Sequence, residues 1–129
     1  MMPYIEEAER LFRLAERDYQ TFSILFAHQE ADLAPTCFHA QQSVEKALKS
    51  VLTSRQLTFR RTHDLEELSL LLEDAGISPP VPIGDYRRLN PCAVEMRYDD
   101  QVMVLVTREE ANSIAQETLK WAGKLLSKV

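Results

Sequence analysis

FHAQQSVEKALKS, residues 38–50, sets a histidine, two glutamines, a glutamate and two lysines among apolar residues. Taken outward to residues 36–55, the apolar members Cys37, Ala40, Val44, Ala47, Leu48, Val51 and Leu52 fall on one face of a helix. At about 100° per residue, His39, Gln42, Lys46 and Lys49 come nearly opposite, with Gln41 and Glu45 at the boundary. The polar set is either the solvated side of an amphipathic helix or a working surface. Glu45 and Lys49 stand four apart, a pair that contributes only about 0.2–0.5 kcal/mol on a helix surface. Gln41 is harder to dismiss, because an amide at the edge of an apolar face needs partners.

The chain on either side reads the same way. Ile5, Ala8, Phe12, Ala15, Tyr19, Phe22 and Phe26 draw an apolar stripe along a first helix over residues 3–28, with Pro3 in its first turn. HQEADLAP breaks that pattern. After the loop RQLTFRRTHD, Thr62 is the expected N-cap of a third helix, HDLEELSLLLEDAG, with Asp64 in its first turn and Gly76 just past its end. ISPPVPIG reads as an extended loop, since three prolines cannot continue a helix. DYRRLNPCAVEMRYDD is expected to be helical, with Asn90 as a cap and Pro91 opening a renewed turn or a kink. QVMVLV, residues 101–106, is a lone β-branched run with nothing to pair with, and reads as a connection. Thr107 and Glu110 form a capping box for a last helix over 108–127, whose stripe is Ala111, Ile114, Ala115, Thr118, Trp121, Ala122 and Leu125. The expected fold is all-α: an up-and-down four-helix bundle with an additional short helix, as a single domain over residues 1–129.

Composition agrees. Three glycines and six prolines in 129 residues leave few breakers, and the hydrophobic share of 45% suits one compact core. A net charge of −5 argues against a protein that coats nucleic acid through bulk electrostatics, although Arg60–Arg61 and Arg87–Arg88 leave room for a local basic patch. Cys37 and Cys92 lie far apart in sequence with no CxxC, which reads as two free buried thiols. MMPYIEEAER carries early acids and no apolar signal core, and no apolar run approaches the roughly 20 residues of a membrane span. The expected location is the cytoplasm, away from membranes.

The motifs of common chemistries are missing. His28, His39 and His63 show neither HxxxH nor HExxH spacing, so no metal site is expected. There is no GxGxxG, no GxxxxGK[ST] and no GxSxG. No cofactor is expected. His63, beside Asp64 and following Arg60 and Arg61, is either a solvated residue at a helix start or a general acid–base with cations to meet phosphate. Arg97 reads as a structural partner of Glu45 or Asp64, and Tyr98 as core or a stacking surface.

CFHAQQSVEKALKSVL, RRTHDLEELSLLL and LNPCAVEMRYDD, in that order, resemble the HEPN domain (higher eukaryotes and prokaryotes nucleotide-binding domain) over nearly the whole chain, in its small stand-alone prokaryotic form. The resemblance implies a five-helix, mostly antiparallel bundle, a homodimer, and partnership with a minimal nucleotidyltransferase in pairs that look like toxin and antitoxin. Many such domains are metal-independent RNases marked by an arginine four to six residues before a histidine. Here no arginine stands at that distance from any histidine, and Cys92 occupies a place where an aromatic residue is expected. Against that pattern, Gln41, Glu45, His63, Asp64 and Arg97 look like an internal polar network. His39, Gln42 and Lys46, with His63, Asp64, Arg97 and Tyr98, are candidates for binding a partner, a nucleotide or RNA. The leading expectation is a binding module. The alternative is an RNase toxin with a divergent site, in which His63 is the acid–base and Arg60, Arg61 or Arg97 stabilises the transition state. A third is a scaffold that only self-associates.

Overall fold

The computed structural model describes residues 2–93 and 106–128. They form five α-helices: α1 (Pro3–Phe26), α2 (Leu33–Ser54), α3 (Leu65–Asp74), α4 (Ile83–Leu89) and α5 (Arg108–Leu126). A 3-10 turn, Asn90–Ala93, follows α4, and no strand occurs among the described residues. The all-helical expectation holds.

Three long helices make the trunk. The residues that α1 buries, Ala8, Ala15 and Phe22, are seven apart, the spacing of a narrow seam. Alanine and serine at the α1–α2 contact let the backbones approach, and the Ser43 hydroxyl donates to the Ala15 carbonyl at 2.8 Å. Tyr19 donates to Asn112 at 2.7 Å, and Phe12 lies 3.3 Å from where a Cβ on Gly123 would stand. Rising numbers on α1 meet falling numbers on α5, so these helices run antiparallel. Ala111, Ile114, Ala115, Thr118 and Ala122 of α5 are buried, while Trp121 and Leu125 of the expected stripe are half-buried against the core. Cys37 and Cys92 are free and buried, and they hydrogen-bond each other, which draws the Cys37 thiol below its ordinary range against the opposing effect of burial.

Helix α2 is the axis of the molecule, touching α1, α3, α5 and the 3-10 turn. Thirteen of its 22 residues are buried, among them Gln41, Ser43, Glu45, Ser50 and Ser54. The side expected to be solvated is therefore largely covered: Gln42 and Lys46 are half-buried, and the Lys49 side chain is only 15% exposed. Amphipathic spacing finds the strongest apolar face, but it cannot show that neighbours also pack the other side.

Several boundaries move. Helix α1 stops at Phe26, and α2 begins at Leu33, ahead of Pro35. Proline is tolerated there because first-turn N–H groups have no intrahelical acceptor. The N-cap of α3 is Asp64, whose carboxylate accepts from the Glu66 and Glu67 amides; Thr62 instead accepts from the Asp64 amide at 3.0 Å. Pro82 precedes α4, so Ile83 and Gly84 belong to a helix and not to the loop. Asn90 stands at the C-cap of α4 and opens the 3-10 turn. Its side chain crosses to α3, accepting from the Leu65 amide at 2.8 Å and donating to Asp64 at 2.8 Å. Residues 94–105, which include Arg97, Tyr98 and most of QVMVLV, lie outside the described residues. The capping box at Thr107 and Glu110 is present as expected.

Candidate functional site: the Glu45–His63 corner

The polar residues of α2 converge where the chain returns to begin α3. Glu45 sits in the middle with its side chain 5% exposed. One carboxylate oxygen accepts from Lys49 at 2.9 Å, the other from the Nδ1–H of His63 at 2.8 Å. A carboxylate in so dry a position needs such donors, because an isolated buried charge is strongly disfavoured. Lys49 lies over the Phe59 ring at 5.8 Å, which keeps its stem packed while its ammonium faces Glu45. Gln41, fully buried, donates to the His63 carbonyl at 3.0 Å and accepts from Gln42 at 2.7 Å.

The His63 side chain is 68% exposed although its Nδ1 is tied down. A buried carboxylate thus fixes the ring and its tautomer and leaves Nε2 toward solvent as a proton acceptor. That is the arrangement by which an imidazole is oriented for acid–base work or for a hydrogen bond to an incoming ligand. Arg61, two residues before it, is exposed. Arg60 is held by Glu67 through hydrogen bonds of 2.7–3.0 Å, which raises its pKa further.

The other residues expected in the site divide. Asp64 is committed to capping α3 and to Asn90. Lys46 forms an ion pair with Asp18 of α1. Gln42 serves Gln41. His39 lies apart: its ring meets Phe38 edge-on, and its Nδ1 is buried without a hydrogen-bond partner among the described residues. Arg97 and Tyr98 are outside the described residues. Of the expected internal network, Gln41, Glu45 and His63 are brought together directly and Asp64 adjoins them. Asn90 was missed, because a cap reading looks only along its own segment and the contact spans 25 residues.

A cavity of about 620 Å³ lies elsewhere, lined by Phe26, Gln29, Leu33, Val106, Thr107, Arg108, Glu109 and Glu110. None of the candidate residues among those described lines it. Its ionic groups are largely engaged in holding helices. Arg108 donates to the carbonyls of His28, Gln29 and Ala31, and Glu110 pairs with Arg88 and closes the capping box, which lowers its pKa. The chemistry-bearing corner and this cavity are different places. Among the described residues there is no cluster of histidine, cysteine and acids able to hold a metal ion, and no helix long and apolar enough to cross a membrane.

A helical bundle with a central polar helix and one outward-held imidazole defines the class of domain. A family model for the HEPN domain matches residues 8–128, and the chain belongs to that family. No curated protein and no solved structure matches it.

Proposed function

We propose that this chain is a single-domain HEPN binding module. It works as a cytoplasmic homodimer, partners a minimal nucleotidyltransferase in a toxin–antitoxin type of pair, and takes a nucleotide or RNA. The observation that carries the reading is what its polar residues do. Gln42, Lys46 and Asp64 hold the bundle together instead of converging on a reacting centre. The arginine–histidine spacing of the family's nucleases is also missing. The test is affinity capture of the tagged full chain from its own cells, with intact-mass analysis and sedimentation. A co-purifying nucleotidyltransferase, or a bait heavier by one nucleotide unit, is the expected result, and Tyr98 is the first position to map for such a modification. A monomer that retains no partner and no nucleotide overturns it, and would also dispose of a scaffold that merely self-associates.

One observation favours the RNase reading instead: the buried Glu45 carboxylate orients an exposed imidazole. In that reaction the His63 Nε2 takes the proton of the RNA 2′-hydroxyl, whose oxygen bonds to the adjacent phosphorus to give a 2′,3′-cyclic phosphate while the P–O5′ bond breaks and the 5′-oxygen takes up a proton from water. Arg61, or Arg97, then steadies the charge that develops on the phosphoryl oxygens. Cleavage of a single-stranded RNA by the wild type and its loss in a folded His63→Ala variant are expected. Cleavage that survives the substitution rules this mechanism out.

A further inference from the structure

Cys37 of α2 and Cys92 of the 3-10 turn are the two cysteines of the chain, and the fold brings them together from far apart in sequence. Both belong to one buried apolar cluster, α2 packs against the turn, and the two thiols hydrogen-bond each other. We propose that they are a redox pair: a peroxide converts them to a disulfide that latches the turn after α4 onto α2, and a dithiol opens it again. The proposal is independent of the binding reading above and of the RNase alternative.

The two sulfurs are not equivalent. Cys92 donates its S–H to the Cys37 sulfur, and the Arg108 charge acts in the same direction, so the Cys37 thiolate is favoured against the cost of burial. Cys37 is therefore the nucleophile and Cys92 the resolving thiol. A route to Cys37 is also present. The cavity between the starts of α2 and α5 is lined by Leu33 and Arg108, and its Gln29, Thr107 and Glu109 are exposed, so it opens to solvent. Leu33 stands one helical turn before Cys37, and side chains on a helix lean toward its N-terminus, so Cys37 leans toward the cavity wall. Hydrogen peroxide is small enough to use that route. The Cys37 thiolate attacks one peroxide oxygen: an S–O bond forms, the O–O bond breaks, and the departing hydroxide takes up a proton as water. The Cys92 sulfur then attacks the sulfur of this sulfenic acid. The S–S bond forms, the S–O bond breaks, and the hydroxyl leaves with the Cys92 proton as a second water. Two thiols are oxidised and one peroxide is reduced. The bond closes a loop that contains the rest of α2, all of α3 and all of α4, so it adds a covalent tie where apolar contacts and hydrogen bonds otherwise hold.

The measurement starts from the reduced full chain under native conditions, treated with a small excess of hydrogen peroxide, blocked with iodoacetamide and weighed by intact-mass spectrometry. The expected product is a single chain lighter by two hydrogens and not alkylated, with Cys37 and Cys92 in one cross-linked peptide pair, and dithiothreitol restores the starting mass. Cys92→Ser stops the reaction at a Cys37 sulfenic acid, which dimedone traps, and Cys37→Ser leaves Cys92 a thiol. The alanine variants take their place if circular dichroism shows the serine ones unfolded. The oxidised chain melts about 5 °C or more above the reduced one, the usual direction when a long loop is cross-linked. Its amides in α3 and α4 exchange about threefold or more slowly than in the reduced chain, with α1 unchanged. Thiols that react only after urea has unfolded the chain overturn the proposal, since the pair is then inert core. So do a disulfide between two chains, oxidation of both sulfurs to sulfinic acids with no bond between them, and a sulfenic acid that collects on Cys92 instead of Cys37. A disulfide that forms but moves neither the melting temperature nor exchange in α3 and α4 overturns the latch.

Discussion

Glu45 shows how much of this structure depends on single polar side chains. Its carboxylate is buried and satisfied by Lys49 and His63, with Gln41 at the margin at 3.5 Å. Glu45→Ala strips the charge from beneath an ammonium that is itself mostly covered, and costs about 3 kcal/mol, the usual result of removing one member of a buried pair. Glu45→Gln keeps an acceptor for His63 and costs less. Urea unfolding of both variants checks this, and a loss below about 1 kcal/mol for Glu45→Ala would mean that the network contributes little. Tyr86 gives a second case with a pH signature. Its phenol is fully buried against Thr118 at 2.9 Å, and since the Thr118 hydroxyl already donates to the Ile114 carbonyl, Tyr86 is the donor. Burial pushes this phenol well above its ordinary value of 10.0. Below that value neither the folded nor the unfolded form ionises. Above it the unfolded chain loses the proton first, so the stability that Tyr86 contributes is present at neutral pH and drains away as pH rises past 10. Tyr86→Phe loses about 1 kcal/mol at neutral pH, and its deficit against the wild type narrows in alkali. A deficit independent of pH would show that the phenol ionises equally in both states.

Two helices end with the same hydrogen-bond pattern but different residues at the critical place. After α2 the Leu57 amide reaches the Leu52 carbonyl and the Gln56 amide the Thr53 carbonyl; after α3, Ile77 reaches Leu72 and Gly76 reaches Glu73. Both are Schellman ends, each folding an apolar residue, Leu57 or Ile77, back on the core. Gly76 takes its φ of 80° without strain, whereas Gln56 is held at 58° with a Cβ. Gln56→Gly therefore raises stability by about 0.5–1 kcal/mol, and Gly76→Ala, with nothing within 4 Å of the added carbon, lowers it by about 1 kcal/mol through backbone strain alone. Differential scanning calorimetry should find opposite shifts, and shifts of the same sign would refute the shared end geometry. These ends also show what a sequence reveals. Glycine at 76 announces its turn, and glutamine at 56 does not. The capping box at Thr107 is local chemistry, so it was legible, as were the stripes of α1 and α5. The Asp64–Asn90 brace and the Lys46–Asp18 pair were not, because each joins residues 26 or 28 apart and no local period encodes them. Glu45 and His63 could be assigned to a network from the family resemblance, but that the ring would be held outward over a buried carboxylate required the fold.

At the scale of the whole molecule, α2 carries α1, α3, α5 and the 3-10 turn. It packs against α1 and α5 along the trunk, receives α3 and the 3-10 turn on its remaining side, and contributes more buried residues than any other helix. The clip of α3 and α4 is different. It holds itself together through the exposed Glu66–Arg87 pair and the Asp64–Asn90 brace, and leans on α2 with Leu65, Leu68 and Leu72. Exposed ion pairs contribute about 0–1 kcal/mol each, so the clip's attachment rests on those leucines and on the buried Tyr86, which bonds Thr118 of α5, while α2 is locked on several sides. Opening of the clip therefore costs less than opening of the trunk. Native-state hydrogen exchange followed by mass spectrometry should show amides of α3 and α4 exchanging first, in one cooperative step, and those of α2 last, at the rate of global unfolding. Glu45 and Gln41 tie α2 to the start of the clip at His63, so Glu45→Ala should speed exchange in residues 63–74 more than in α1. Such a hierarchy would also bear on the corner itself. His63 sits at the joint between trunk and clip, held by Glu45 and Gln41 of α2 one residue before the cap of α3. Uniform exchange across α2 and α3 would mean that trunk and clip unfold as one body.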